Sequence, residues 1–138
     1  MSSLDELSLA AGFRRYFRIQ TANDRRAMED VFRIRHEVYC EDLGFEAVRE
    51  DRLETDEHDR NSQHCLLHTE GEVHEPVGCT RVVMTDPDDR FRPLPFEITC
   101  AATLDRSIID PAAQPRERIG EVSRLAVRRH FRRRIARR

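Results

Sequence analysis

The segment LETDEHDRNSQHCLLH, Leu53 to His68, puts four acids in the six residues Glu54 to Asp59 and then runs into an apolar stretch. Carboxylates this dense at the mouth of a buried strand are either a solvated turn or a prepared site for cations. The complementary cation is arginine, which keeps its charge and offers a planar fork of donors to a carboxylate. Three arginines stand in otherwise apolar surroundings. Arg35 lies at the edge of a helical stripe, beside Val31, Phe32, Val38 and Tyr39. Arg81 shares a strand face with Val77, Cys79 and Val83. Arg124 follows Glu121 in IGEVSRLAV. With Glu54, Asp56, Asp59 and Glu121 as partners, these side chains either hold a cleft rigid or leave one carboxylate free to take a proton or bind an amine. The competing readings are a purely structural ion network and, for Arg35, a guanidinium that reaches solvent across the aromatic rings.

HCLLH, His64 to His68, raises a metal reading. On a strand His64 and His68 share a face and Cys65 points away. Cys40, Cys65, Cys79 and Cys100 form no CxxC pair, so neither a zinc site nor a disulfide framework is expected.

At 138 residues, 38% hydrophobic and 36% charged, the chain is expected to form one domain, residues 1–138, around a modest core. No apolar run reaches the ~18 residues of a membrane helix, and the acidic start MSSLDELSLAAGF lacks the order of a secretory leader. No membrane span and a cytoplasmic location are the expectations. All 24 basic residues are arginine, and seven fall in Arg128 to Arg138, leaving 17 against 26 acids before them. A basic end of this kind can suggest nucleic acid, which is not the expected partner; the plainer alternative is a cationic turn and helix start, or the frayed end of an incomplete chain.

The elements that must position these groups follow from periodicity. Phe13 to Gln20 reads as a first strand. Thr21, Asn23 and Asp24 offer caps for a helix running to about Glu41, with the stripe Ala27, Val31, Ile34 and Val38. Asp42 to Gln63 is a long polar loop of the kind that carries function. His64 to Thr69 and Val77 to Thr85 pair across the turn GEVHEP. Asp86 to Pro95 is a loop, Phe96 to Leu104 a short helix, Asp110 to Arg118 a loop, and Ile119 to Val127 the last strand. The fold class is α/β in the α+β sense, with a mixed, mostly antiparallel sheet and flanking helices. Glu121 and Arg124 are an odd number of residues apart and would face opposite ways on a regular strand. A bulge near Val122 and Ser123 is therefore expected.

Five motifs occur in one order: RHEVY (Arg35 to Tyr39), LGF (Leu43 to Phe45), ETDEHD (Glu54 to Asp59), GCTR (Gly78 to Arg81) and EVSR (Glu121 to Arg124). The series resembles the acyl-homoserine-lactone (autoinducer) synthases and the N-acyl amino acid synthases. EPVGCTRVV, DPDDRFRPLPFE and GEVSRLAVRRHFRRR look most like the acyltransferases associated with PEP-CTERM/exosortase systems, from about residue 25 onward. The resemblance implies a GNAT-like acyltransferase fold, represented here by its N-terminal portion and C-terminally incomplete. It implies transfer of a fatty acyl group from a thioester, on acyl carrier protein or as acyl-CoA, to an amine such as an amino acid. No cofactor is implied beyond that donor. Glu121 and Glu54 are the candidate proton acceptors, and Arg35, Asp56, Asp59, Arg81, Arg124, Phe45 and Tyr39 line the substrate cleft. Arg132, Arg133 and Arg134 would meet the donor's phosphate. Phe45 stands where autoinducer synthases commonly carry Trp, and Tyr39 where they carry Phe, which argues against S-adenosylmethionine as substrate. A different class stays open: a non-catalytic module whose arginine-rich end docks an acidic carrier protein or nucleic acid.

Overall fold

The structure, a computed structural model, describes residues 3–132. A helix α1 (Ser3–Tyr16) leads into β1 (Phe17–Thr21), followed by α2 (Arg25–Arg35), β2 (Ser62–Thr69), β3 (Pro76–Met84), a short α3 (Pro95–Thr99) and β4 (Gly120–Val127). The strands form one sheet in the order β1-β2-β3-β4, every neighbouring pair antiparallel. The α+β class expected from the sequence is the one observed, without any parallel pairing among the described strands.

Helix α2 forms where its signals predict. The Asp24 carboxylate accepts the Ala27 N–H at 2.9 Å and satisfies a donor that the first turn leaves free. Its stripe, Ala27, Val31 and Ile34, packs on Leu66, Cys79 and Ala126 of the sheet. The expected helix to Glu41 is corrected in its second half: after Arg35 the chain continues as a π-helix, His36–Asp42, closed by the Leu43 N–H on the Val38 carbonyl at 3.0 Å. The wider turn keeps Val38 and Cys40 buried and carries Tyr39 towards β4.

The first strand is also corrected. Phe13 to Tyr16 belong to α1, and the strand starts at Phe17 because only there does a partner exist, Thr69 at the end of β2. The segment before it is rich in Leu and Ala, good helix formers, and closes on Arg14 and Arg15, which suit a helix C-terminus. The helix expected over Phe96 to Leu104 is shorter, ending at Thr99 and continuing in hydrogen-bonded turns.

The bulge exists, one step beyond its expected place. Arg81 pairs with Ser123 and Cys79 with Ala126, so the single residue Thr80 faces two, Arg124 and Leu125. Arg124 takes φ 53°, a left-handed backbone that a non-glycine residue adopts only when its surroundings impose it. Beside the bulge, β3 and β4 approach closely at Gly78. A Cβ there would sit 2.6 Å from the Ala126 carbonyl oxygen. Gly78→Ala is expected to destabilise the domain by about 1–3 kcal/mol, as overpacking against backbone does. Chemical denaturation would check it, and an unchanged midpoint would mean the strands separate without cost.

Candidate active site

The acids that open β2 turn inward. Glu54 is 1% exposed, and its N–H is fixed to the Phe32 carbonyl of α2 at 3.1 Å. Its carboxylate accepts from Arg35, which is fully buried. Arg35 also donates to Asp59 at 2.6 Å and lies 5.4 Å from the Phe32 ring centroid. The solvent-reaching alternative for Arg35 does not occur. Arg81, 2% exposed, donates to Asp56 at 2.6 Å and Asp59 at 2.8 Å, while its Nε donates to the Ser123 hydroxyl at 3.0 Å. Asp59 and Asp56 are further fixed by backbone donors, the Asp56 N–H on Asp59 at 2.7 Å and the His58 N–H on Asp56 at 2.9 Å.

Arg124 completes the cluster from the opposite wall. One of its terminal nitrogens lies 3.1 Å from Glu54, 3.4 Å from Asp56 and 3.6 Å from Glu46. Its guanidinium sits 5.3 Å from the Tyr39 ring centroid, and the Tyr39 hydroxyl donates to the Leu125 carbonyl at 2.7 Å, bracing the bulge. Side chains from α2, the acidic loop, β3 and β4 thus meet in one place.

The electrostatics follow from this packing. Burial alone would push Asp56 up, but the Arg81 hydrogen bond and the charges of Arg81 and Arg35 outweigh it and hold the carboxyl at about 2. Asp59 is lowered likewise: burial is overcome by the hydrogen bonds from Arg35, Asp56 and Arg81. Burial pushes the His64 imidazole down, against the pull of Asp59 at 3.7 Å. Burial also raises the Cys79 thiol to about 12, which makes it an inert core group. Among the described residues no group of His, Cys, Asp and Glu is arranged to hold a metal ion.

Of the residues singled out by sequence, Arg35, Glu54, Asp56, Asp59, Arg81, Arg124 and Tyr39 converge. Glu121 lies two residues before Ser123 and so shares its face, the face the bulge also gives to Arg124. Its carboxylate is not in the ion network: it accepts the Phe96 N–H at 3.0 Å, and among the described residues it makes no ion pair. Phe45 stands apart, 72% exposed. Arg132 pairs with Asp42 at 2.6 Å, and Arg128 with Glu37 at 3.1 Å, so these two arginines are partnered within the chain. Arg133 and Arg134 lie outside the described residues. Sequence reasoning missed Ser123, which the register of β3 and β4 sets opposite Arg81, and Glu46, whose position in an irregular loop carries no period to read.

Among the described residues no helix is long and apolar enough to cross a membrane. No curated protein and no solved structure matches the chain. The family model described as acetyltransferase (GNAT) domain matches residues 34–137, a span that runs from Ile34, beside the buried Arg35, past the whole of the cluster. That match agrees with the antiparallel sheet and its flanking helices, and by it the chain belongs to the GNAT acyltransferase family, whose general reaction is N-acyl transfer.

Proposed function

We propose that the domain transfers a fatty acyl group from a thioester, on acyl carrier protein or coenzyme A, to the amine of a small molecule such as an amino acid. The relation to N-acyl amino acid synthases and to PEP-CTERM/exosortase-associated acyltransferases is part of this reading. The observation that carries it is the contrast between two kinds of carboxylate on one face. Glu54, Asp56 and Asp59 are matched against Arg35, Arg81 and Arg124, three charges against three, and are consumed by them. Among the described residues Glu121 is held by a backbone donor alone.

An amine near neutral pH is mostly protonated and cannot attack until a base takes its proton. Glu121 suits that task, because an incoming ammonium finds an unmatched negative charge there. Glu54, gripped by Arg35 and Arg124, serves the architecture instead. The freed nitrogen attacks the thioester carbonyl, the C–N bond forms, the C–S bond breaks, and the thiolate leaves to take a proton. The broken ladder at Arg124 and Leu125 is the natural source of backbone donors for the oxyanion. Tyr39 would line the acceptor side. Arg132, exchanging Asp42 for a phosphate oxygen, would meet the donor together with Arg133 and Arg134.

Mass spectrometry of N-acyl products, with acyl carrier protein or coenzyme A thioesters and a panel of amino acids, tests the reaction. Glu121→Gln is expected to lower turnover about 10²-fold or more with the denaturation midpoint retained. Equal product from both proteins would remove Glu121 from the chemistry. Glu54→Gln is expected to do the reverse first, destabilising the fold by about 1–3 kcal/mol because Arg35, still held by Asp59, loses one of its two carboxylate partners in a buried site. A wild-type midpoint for that variant would show that the guanidinium is not held by Glu54.

The cluster also sets an acid limit. Asp56 has a folded value of about 2, below the ~3.9 of an unfolded aspartate. Its contribution is therefore present above that unfolded value and is lost as pH falls through the folded one, on the order of 2 kcal/mol. Asp59 adds in the same direction. Urea midpoints should fall between about pH 5 and pH 2, and Asp56→Asn should flatten that fall. An equal slope in the variant would assign the acid sensitivity elsewhere.

A further inference from the structure

We infer that Arg116 is a positioning residue for Glu121, acting through the Phe96 N–H. The inference rests on the reading of Glu121 as proton acceptor and assigns to that site a supporting clasp. The connection from β3 to β4, residues 85–119, has only α3 and two short 3-10 turns of its own, so something other than regular structure must fix it.

Arg116 does so. It is 4% exposed, and each of its guanidinium nitrogens is engaged. Nε donates to the Arg90 carbonyl at 2.9 Å, one terminal nitrogen to Glu97 at 2.8 Å and Pro111 at 3.1 Å, the other to Glu97 at 2.9 Å and Arg92 at 3.2 Å. Three separate turns of the connection are thereby tied to one side chain. The Arg116 carbonyl accepts the Thr85 hydroxyl at 2.6 Å, which pins the clasp to the end of β3.

Glu97 is the link to the site. Its carboxylate, gripped on both oxygens by Arg116, also accepts the Leu94 N–H at 2.7 Å, and Leu94 is buried beneath it. Burial would raise Glu97, but Arg116 and the Leu94 N–H hold it lowered, so the clasp stays charged. Phe96 lies between these two anchored residues, and its N–H is the donor that reaches Glu121 at 3.0 Å. A lysine in place of Arg116 could not tie both Glu97 oxygens and three carbonyls, because it offers one point charge instead of a fork. The chain of contacts therefore runs from Arg116 to Glu97, to the Phe96 backbone, to the Glu121 carboxylate. Glu121 needs such a fixture because, among the described residues, no guanidinium orients it as one orients Glu54, Asp56 and Asp59.

The test is a double-mutant cycle on the N-acyl transfer assay, with hydrogen exchange of the Phe96 amide read alongside. Arg116→Gln is expected to lower kcat by about 10- to 100-fold, the scale of a misplaced catalytic group, with KM for the amine little changed and Phe96 protection lost. In a Glu121→Gln background the same substitution should cost nothing further. If Arg116→Gln does not fold, Glu97→Gln breaks the same clasp and takes its place. A full additional loss in the Glu121→Gln background, or a Phe96 amide equally protected in the clasp variants, would overturn the positioning role. Full activity of Glu121→Gln alone would instead overturn the reading of Glu121 beneath it.

Discussion

A guanidinium in a protein core cannot escape its charge. Burying Arg35 completely leaves no protonation route out of the desolvation cost, so carboxylates must come to it. Much of the arrangement follows from that constraint. Glu54 has to fold back under α2, which it does by bonding the Phe32 carbonyl. Asp59 has to reach the same guanidinium, and once there it is shared with Arg81. The acidic run at the mouth of β2 is thus the counter-charge of α2 and β3 and not a solvated turn, Glu57 excepted, which faces outward to Arg92 at 3.3 Å.

The bulge in β4 is the second consequence. A regular strand would turn Arg124 to the opposite face from Ser123, leaving Glu54 and Asp56 with less positive charge than they carry negative. Insertion of one extra residue opposite Thr80, with Arg124 in a left-handed conformation, returns its guanidinium to the cluster. The strain is offset locally by the ion pairs to Glu54 and Asp56, the face of Tyr39, and the Tyr39 hydroxyl on the Leu125 carbonyl. The π-helical turns at His36 to Asp42 belong to the same device, since they aim Tyr39 at the bulge.

What was legible in the sequence was whatever repeats. The stripe of α2 announces itself at helical spacing, β2 and β3 at alternation, and Arg35 and Arg81 stand out because they interrupt those periods with charge. The bulge was legible as a contradiction, the odd separation of Glu121 and Arg124, but not its position, since no glycine marks it. The start of β1 was misread because alternation within FRRYFRIQ looks the same whether or not a neighbouring strand exists; only pairing with Thr69 decides it. Glu46, Glu97 and Arg116 sit in stretches without period, and their contacts depend on where three-dimensional loops return. Burial of Arg116 in particular has no signature along the chain, because its ligands are mostly carbonyls that every residue carries.

The division among the carboxylates has a physical logic of its own. A carboxylate paired to guanidinium on both oxygens is pre-organised but is a poor base: Asp56, at about 2, illustrates the cost. A carboxylate free in solvent is a better base but unplaced. Glu121 differs from both in its placement: it is half-buried, shares the face of Ser123, and is oriented by a backbone N–H. On the proposed reaction an incoming ammonium therefore meets, on the face of β4 that also carries Ser123 and Arg124, a carboxylate that no guanidinium holds among the described residues, whereas Glu46, like Glu54 and Asp56, is already paired with Arg124.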